Sequence, residues 1–121
     1  MPPAAVADAG GWLVLAGLLE GVAHEVEEVL VLDATSLLLA EYLTLRHEGA
    51  PARARAEFGL AMRVVAEWFP VRAVAIEAAL ASNAHQDIDA GASLALAESL
   101  GVPLITKNRE LTSEYVEILR C

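Results

Sequence analysis

DIDAGASLALAESLGVPLITKNREL, residues 87–111, joins a helix, a tight turn and a strand in one run. Asp87 and Asp89 precede an alanine- and leucine-rich segment with the composition of a buried helix. Gly101 and Pro103 stop it, as a glycine just past a helix end followed by proline does. Residues 103–106, Pro-Leu-Ile-Thr, read as a short buried strand, and Lys107, Asn108 and Arg109 as the polar turn that ends it. Helix, turn and apolar strand make half of an α/β layer. Polar residues at the carboxyl end of such a strand stand where ligands bind in this class of fold.

Working outward, residues 4–8 read as a first strand ending on Asp8, and residues 12–20 as a helix after the Ala9-Gly10-Gly11 turn. A second strand-then-acid run, VLVLDATS, occupies residues 29–36, and a helix over residues 35–46 follows it, with Asp33 or Thr35 as N-cap. Leu37, Leu38, Ala40, Tyr42 and Leu45 cover much of that helix, which predicts that it is largely buried. Glu41 in its midst then needs a partner, because an unpaired acid in an apolar setting is costly. A long helix is expected over residues 52–68, broken by Phe69-Pro70. An edge strand at 71–75, a short helix at 76–83 and a last strand at 115–119 complete the series. Strands alternating with helices predict a three-layer α/β fold, its sheet mainly parallel with helices on both faces, in a single domain spanning residues 1–121.

The chain has 121 residues, enough for a real core, and 56% of them are hydrophobic. Its net charge is −9, so it has no general attraction to nucleic acid; a nucleic-acid role must rest on a metal site, a local basic patch or a basic partner. Cys121 is the single cysteine and cannot form an intrachain disulfide, which fits a reducing cytoplasm. His24, His47 and His85 lack zinc-ligand spacing. The apolar run at 10–19 has no preceding Lys or Arg and is too short to span a bilayer, so a soluble cytoplasmic protein without a membrane partner is expected.

The 87–111 run resembles the C-terminal motif of PIN domains, the metal-dependent nuclease fold that includes the VapC-type toxins. The likeness lies in Asp89-Ala90, the Leu94–Glu98 helix, Gly101, and Pro103-Leu104-Ile105-Thr106. The chain departs from the pattern where Asn108 stands for the acid after Thr106, and where the spacing from Asp89 to Glu98 is one residue longer, which leaves Asp89 and Asp87 both open as the third acid. The family's first acid maps to Asp8, although Gly10 takes the place of the usual hydroxyl. Asp33 is locally the better match, but with Asp33 first the strand and helix before it would have no place. The family's helix acid maps to Glu41.

The resemblance implies Asp8, Glu41, Asp89 and Asn108 as catalytic residues and Asp8, Asp89, Glu41 and Asp87 as ligands of Mg²⁺ or Mn²⁺, with Thr106 beside them. It implies an endoribonuclease acting on RNA, the toxin of a toxin–antitoxin pair, held by a small antitoxin protein and assembled as a homodimer. Clustered carboxylates raise each other's pKa, and a hard divalent cation relieves that repulsion. An acid at a helix start also gains from the positive end of the helix dipole. Each residue has a plainer reading: Asp8 as a turn residue, Glu41 on a solvent-facing stripe, Asp87 and Asp89 as N-caps, Asn108 in a turn. A different class remains open too. With Gly10, Asn108 and the acidic charge, the chain could be a PIN-like binding or regulatory module without catalysis. Arg53, Arg55 and Arg63 are expected on a solvated face, and Trp12 and Trp68 in the core or an interface.

Overall fold

Strand β1 (Ala5–Ala7), the first in the chain, lies at the middle of the sheet. The computed structural model describes residues 4–63, 67–70, 73–81 and 87–121. After β1 come α1 (Ala9–Leu15), β2 (Val29–Leu32), α2 (Thr35–Arg46), α3 (Pro51–Met62), β3 (Glu67–Phe69), α4 (Ala73–Ala81), α5 (Ile88–Leu100), β4 (Leu104–Thr106) and β5 (Ile118–Arg120). The strand order is β3-β2-β1-β4-β5, and every neighbouring pair is parallel. The chain therefore winds outward from β1 through β2 to β3, then returns past β1 to β4 and β5. The direction of winding reverses between β1 and β4, and a crevice opens there at the carboxyl ends of the strands.

Alternation along each strand splits the core in two. Ala5, Ala7, Val29, Val31 and Ile105 pack with Trp12 and Leu13 of α1, Leu39 and Leu43 of α2, and Ala54 and Ala61 of α3. Val6, Leu30 and Leu104 pack on the opposite face with Ala90, Leu94 and Ala97 of α5, and Leu32 meets Ala79 of α4 and Ala92 of α5. This is the three-layer α/β arrangement with helices on both faces. Trp12 is fully buried, donates from Nε1 to the Ala61 carbonyl at 2.6 Å and meets Trp68 edge-on at 5.3 Å, so both tryptophans are core anchors. No helix among the described residues is long and apolar enough to cross a membrane.

Several sequence expectations need correction. Helix α2 is not largely buried: only Thr35, Leu39 and Leu43 are, while Leu37 and Leu45 are 73% and 70% exposed. Composition alone could not assign its inner face, because apolar residues surround it. The helix expected over 52–68 ends at Met62, and Trp68 lies in β3, paired with Val31; residues 64–66 lie outside the described residues. The strand expected at 71–75 is replaced, from Ala73 onward, by α4, with 71–72 outside the described residues, as are 82–83 of the helix expected after it. Alanine-rich sequence favours a helix here, and β3 has taken the edge position that an extra strand would fill. The last strand is real but begins at Ile118, and Tyr115 is 79% exposed.

Helix α1 starts directly under the crevice because Gly11 lets it lie against β4. A Cβ added at Gly11 would stand 2.3 Å from the Ile105 carbonyl oxygen and 2.9 Å from its carbon. Backbone cannot rotate away as a side chain can. Gly11→Ala is therefore expected to destabilise the fold by about 3 kcal/mol, the upper range for overpacking, read as a drop in the urea midpoint. Gly10→Ala meets nothing closer than Lys107 Cβ at 3.5 Å and serves as the neutral control.

Candidate functional site

The crevice between β1 and β4 is acidic. Asp8 follows β1 directly and is 3% exposed. Its Oδ1 accepts from Gly11 N at 2.9 Å, capping α1, and its Oδ2 accepts from Thr106 Oγ1 at 2.5 Å across the sheet. Thr106 ends β4, and its hydroxyl oxygen in turn accepts from Asn108 N at 2.9 Å. Asp89, in the first turn of α5, reaches over from the other helical layer. Its Oδ2 accepts from Ala9 N at 2.8 Å and its Oδ1 from Thr35 Oγ1 at 2.7 Å. A buried carboxylate, Asp8, and a half-buried one, Asp89, thus meet at the start of α1, each held by one backbone N–H and one threonine hydroxyl.

Burial drives the Asp8 carboxyl up to about 7 from its ordinary value of 3.8; the bonds from Thr106 and Gly11 oppose this, and the neighbouring Asp89 and Asp87 add to it. Burial likewise raises Asp89, against the bonds from Thr35 and Ala9 and with a push from Asp87. The helix N-terminus was expected to keep these acids ionised, but desolvation prevails over it. Mutual repulsion acts in the expected direction.

A cavity of about 510 Å³ opens over this pair. Its lining combines polar Asp8, Asp87, Asp89, Asn108 and Lys107 with apolar Leu13, Leu19, Leu38, Leu39 and Tyr42. Of the residues expected to form the site, Asp8, Asp87, Asp89 and Asn108 share this cavity, and Thr106 lies directly behind Asp8. Asp87 also N-caps α5, accepting from Ala90 N at 3.0 Å, and Asn108 Oδ1 accepts from Glu110 N at 2.9 Å. Asp89 is not the cap of its own helix; it is spent on α1 and α2 instead. Glu41 is exposed on α2 and is not part of the cavity wall, where Leu38, Leu39 and Tyr42 represent that helix.

Thr35 is the functional residue that sequence reasoning missed. Its position suggests an N-cap, yet α2 begins at Thr35 with Ala34 in the cap position and no side-chain cap bond, and the Thr35 hydroxyl goes to Asp89. Its signal was present in the second strand-acid-small-hydroxyl run, where the hydroxyl, and not Asp33, turns out to face the site.

The donor set fits a single hydrated Mg²⁺. Among the described residues no cationic side chain pairs with Asp8 or Asp89; Lys107 donates to the Glu20 carbonyl at 2.5 Å. Each carboxylate oxygen has a lone pair left after the bond it accepts. Mg²⁺ keeps most of its waters and binds through one or two carboxylates, whereas zinc would want nitrogen or sulfur. No cluster of three or more acidic, histidine or cysteine side chains placed to hold a metal ion occurs among the described residues.

No protein-family model matches this chain, and no curated protein matches it either.

Proposed function

We propose that this chain is a Mg²⁺-dependent endoribonuclease of the PIN class, with Mn²⁺ as an alternative ion, acting in the cytoplasm as the toxin of a toxin–antitoxin pair. The observation that carries the reading is the meeting of Asp8, at the end of the central strand, and Asp89, from the first turn of α5, at the reversal point of a parallel sheet. Asp8 and Asp89 would hold the ion, with Asp87 and Asn108 at its edge. The bound ion would orient a phosphodiester, favour a water nucleophile and offset charge on the leaving oxygen. Thr106 and Thr35 fix the carboxylates by donating to them. The apolar wall, with Tyr42 at its rim, offers a face on which a base can stack. The exposed leucines of α2, Leu37 and Leu45, support assembly with a second copy or with an antitoxin.

A second reading is favoured by the position of Glu41 outside the cavity and by Asn108: a PIN-like module that binds without cutting. One assay separates the two. RNA is incubated with the protein in Mg²⁺, in chelator, and in Mg²⁺ with Asp89→Asn. Cleavage confined to the first sample is expected, with a fall of about 10²-fold or more in the others. Equal cleavage in all three removes the nuclease reading, and a metal-induced melting shift without any cleavage favours the module.

A further inference from the structure

The acidic cavity has a basic neighbour. A cavity of about 370 Å³ is lined by Val22, Thr106, Lys107, Arg109, Arg120 and Cys121. The whole chain has 8 Lys and Arg against 17 acids. Three of those cations line this one cavity, and no carboxylate side chain does. Strand pairing explains the convergence. Thr106 and Arg120 are register partners at the carboxyl ends of β4 and β5, so the two strand ends and the turn after β4 deliver their side chains to one place. The cavities are neighbours: Lys107 lines both, and Thr106 lines the basic one while its hydroxyl donates to Asp8 of the acidic one.

We infer that this basic cavity holds a phosphate of the RNA backbone next to the one at Asp8 and Asp89, with Lys107, Arg109 and Arg120 as its contacts. The inference rests on the nuclease reading above. Arg120 donates from Nη1 to the Asn108 carbonyl at 2.7 Å and from Nη2 to the Leu111 carbonyl at 2.6 Å. Those bonds set its plane and brace the turn that carries Arg109, yet leave guanidinium protons unspent. Lys107 likewise keeps donors after its bond to Glu20. Arg109 is exposed and makes no hydrogen bond or ion pair among the described residues. Guanidinium groups match phosphate oxygens in pairs, and lysine adds a point charge. A substrate polyanion facing a chain of charge −9 needs such a local foothold.

The test uses the full chain and a fluorescein-labelled single-stranded RNA in chelator, where cutting does not interfere, with anisotropy read at several salt concentrations. Arg109→Ala is the informative variant, because Arg109 supports no other group. Its Kd is expected to rise about three- to tenfold and its salt slope to fall by about 0.7, the share of one phosphate contact on a single strand. Arg109→Lys is expected to recover most of the slope, which a merely structural role would not. Unchanged Kd and slope in Arg109→Ala overturn the inference, as does an absence of RNA binding by the parent chain. Inorganic phosphate is the second probe. A phosphate-induced rise in Tm that Arg109→Ala abolishes, with RNA affinity unaltered, marks a free-phosphate site and overturns the RNA assignment. Arg53→Ala, exposed on α3 and lining neither cavity, is run in parallel and keeps the RNA affinity. RNA held in an Arg109-dependent way but never cut by the parent chain leaves this inference standing while the nuclease reading falls.

Discussion

Asp8→Asn is expected to give a protein that is more stable than its parent and, on the proposed nuclease reading, unable to cut RNA. The two halves of this result have one cause. Asp8 is 3% exposed and titrates at about 7 instead of 3.8, so keeping it ionised at pH 7.5 opposes folding. The gap corresponds to about 4 kcal/mol at ~1.36 kcal/mol per pH unit. Asparagine removes the charge but does not recover all of this. Its Oδ1 can still accept from Gly11 N, whereas its amide nitrogen would face Thr106 Oγ1, which already accepts from Asn108 N and loses the acceptor for its own proton. A net gain of about 1–2 kcal/mol in the metal-free protein is expected once that unsatisfied hydroxyl is counted, several degrees in Tm for a chain of this size. Cleavage in Mg²⁺ is expected to fall about 10²–10³-fold. Calorimetry and the cleavage assay check the two arms. A variant less stable than the parent would mean that Asp8 is held as a structural cap and not as a strained ligand, and a variant that still cuts would remove Asp8 from the chemistry.

The second large effect is in pH. A carboxyl with a raised folded pKa holds its proton more tightly in the native state than in the unfolded one. Its contribution to stability is fully present below about 3.8, declines as pH rises, and is gone above about 7. Asp89 is shifted in the same direction and adds to the effect. The metal-free protein is therefore expected to lose stability between pH 5 and pH 8, by about 3 kcal/mol from Asp8 alone. Mg²⁺ binds the ionised form and stabilises the native state by mass action. The rise in Tm on adding millimolar Mg²⁺ is thus expected to be small at pH 5 and several degrees at pH 8. Thermal melts at both pH values, with and without Mg²⁺, make the check; a metal shift independent of pH would separate ion binding from these carboxylates.

The basic cavity bears on the charge problem posed by composition. At −9 the chain as a whole repels RNA, and the solvated arginines of α3 (Arg53 and Arg55 are exposed) lie on a different part of the fold from the acidic crevice. Lys107, Arg109 and Arg120 become one feature only because β4 and β5 are paired.

Much of the architecture was legible in the chain because its signals are local. The 87–111 run carries its own stop, Gly101 at φ +68 with Pro103 beyond, and the helix and strand on either side lie where that punctuation puts them. Residues 29–32 form a strand and 35–46 a helix for the same reason, a short β-branched and leucine run followed by small and helix-favouring residues. Local chemistry also marked Asp8, Asp87, Asp89 and Asn108, each beside a strand end or a helix start. It did not reveal that Asp89 turns away from its own helix to hold α1 and α2, that Thr35 answers it, or that α2 turns Leu39 and Leu43 inward and leaves Leu37, Glu41 and Leu45 outside. Those outcomes depend on which strands are neighbours and on how far α1 can approach β4 across Gly11. Hydrogen bonds between residues 54 and 98 positions apart have no counterpart in the order of the chain; they form because a parallel sheet that reverses its winding brings distant strand ends to a single crevice.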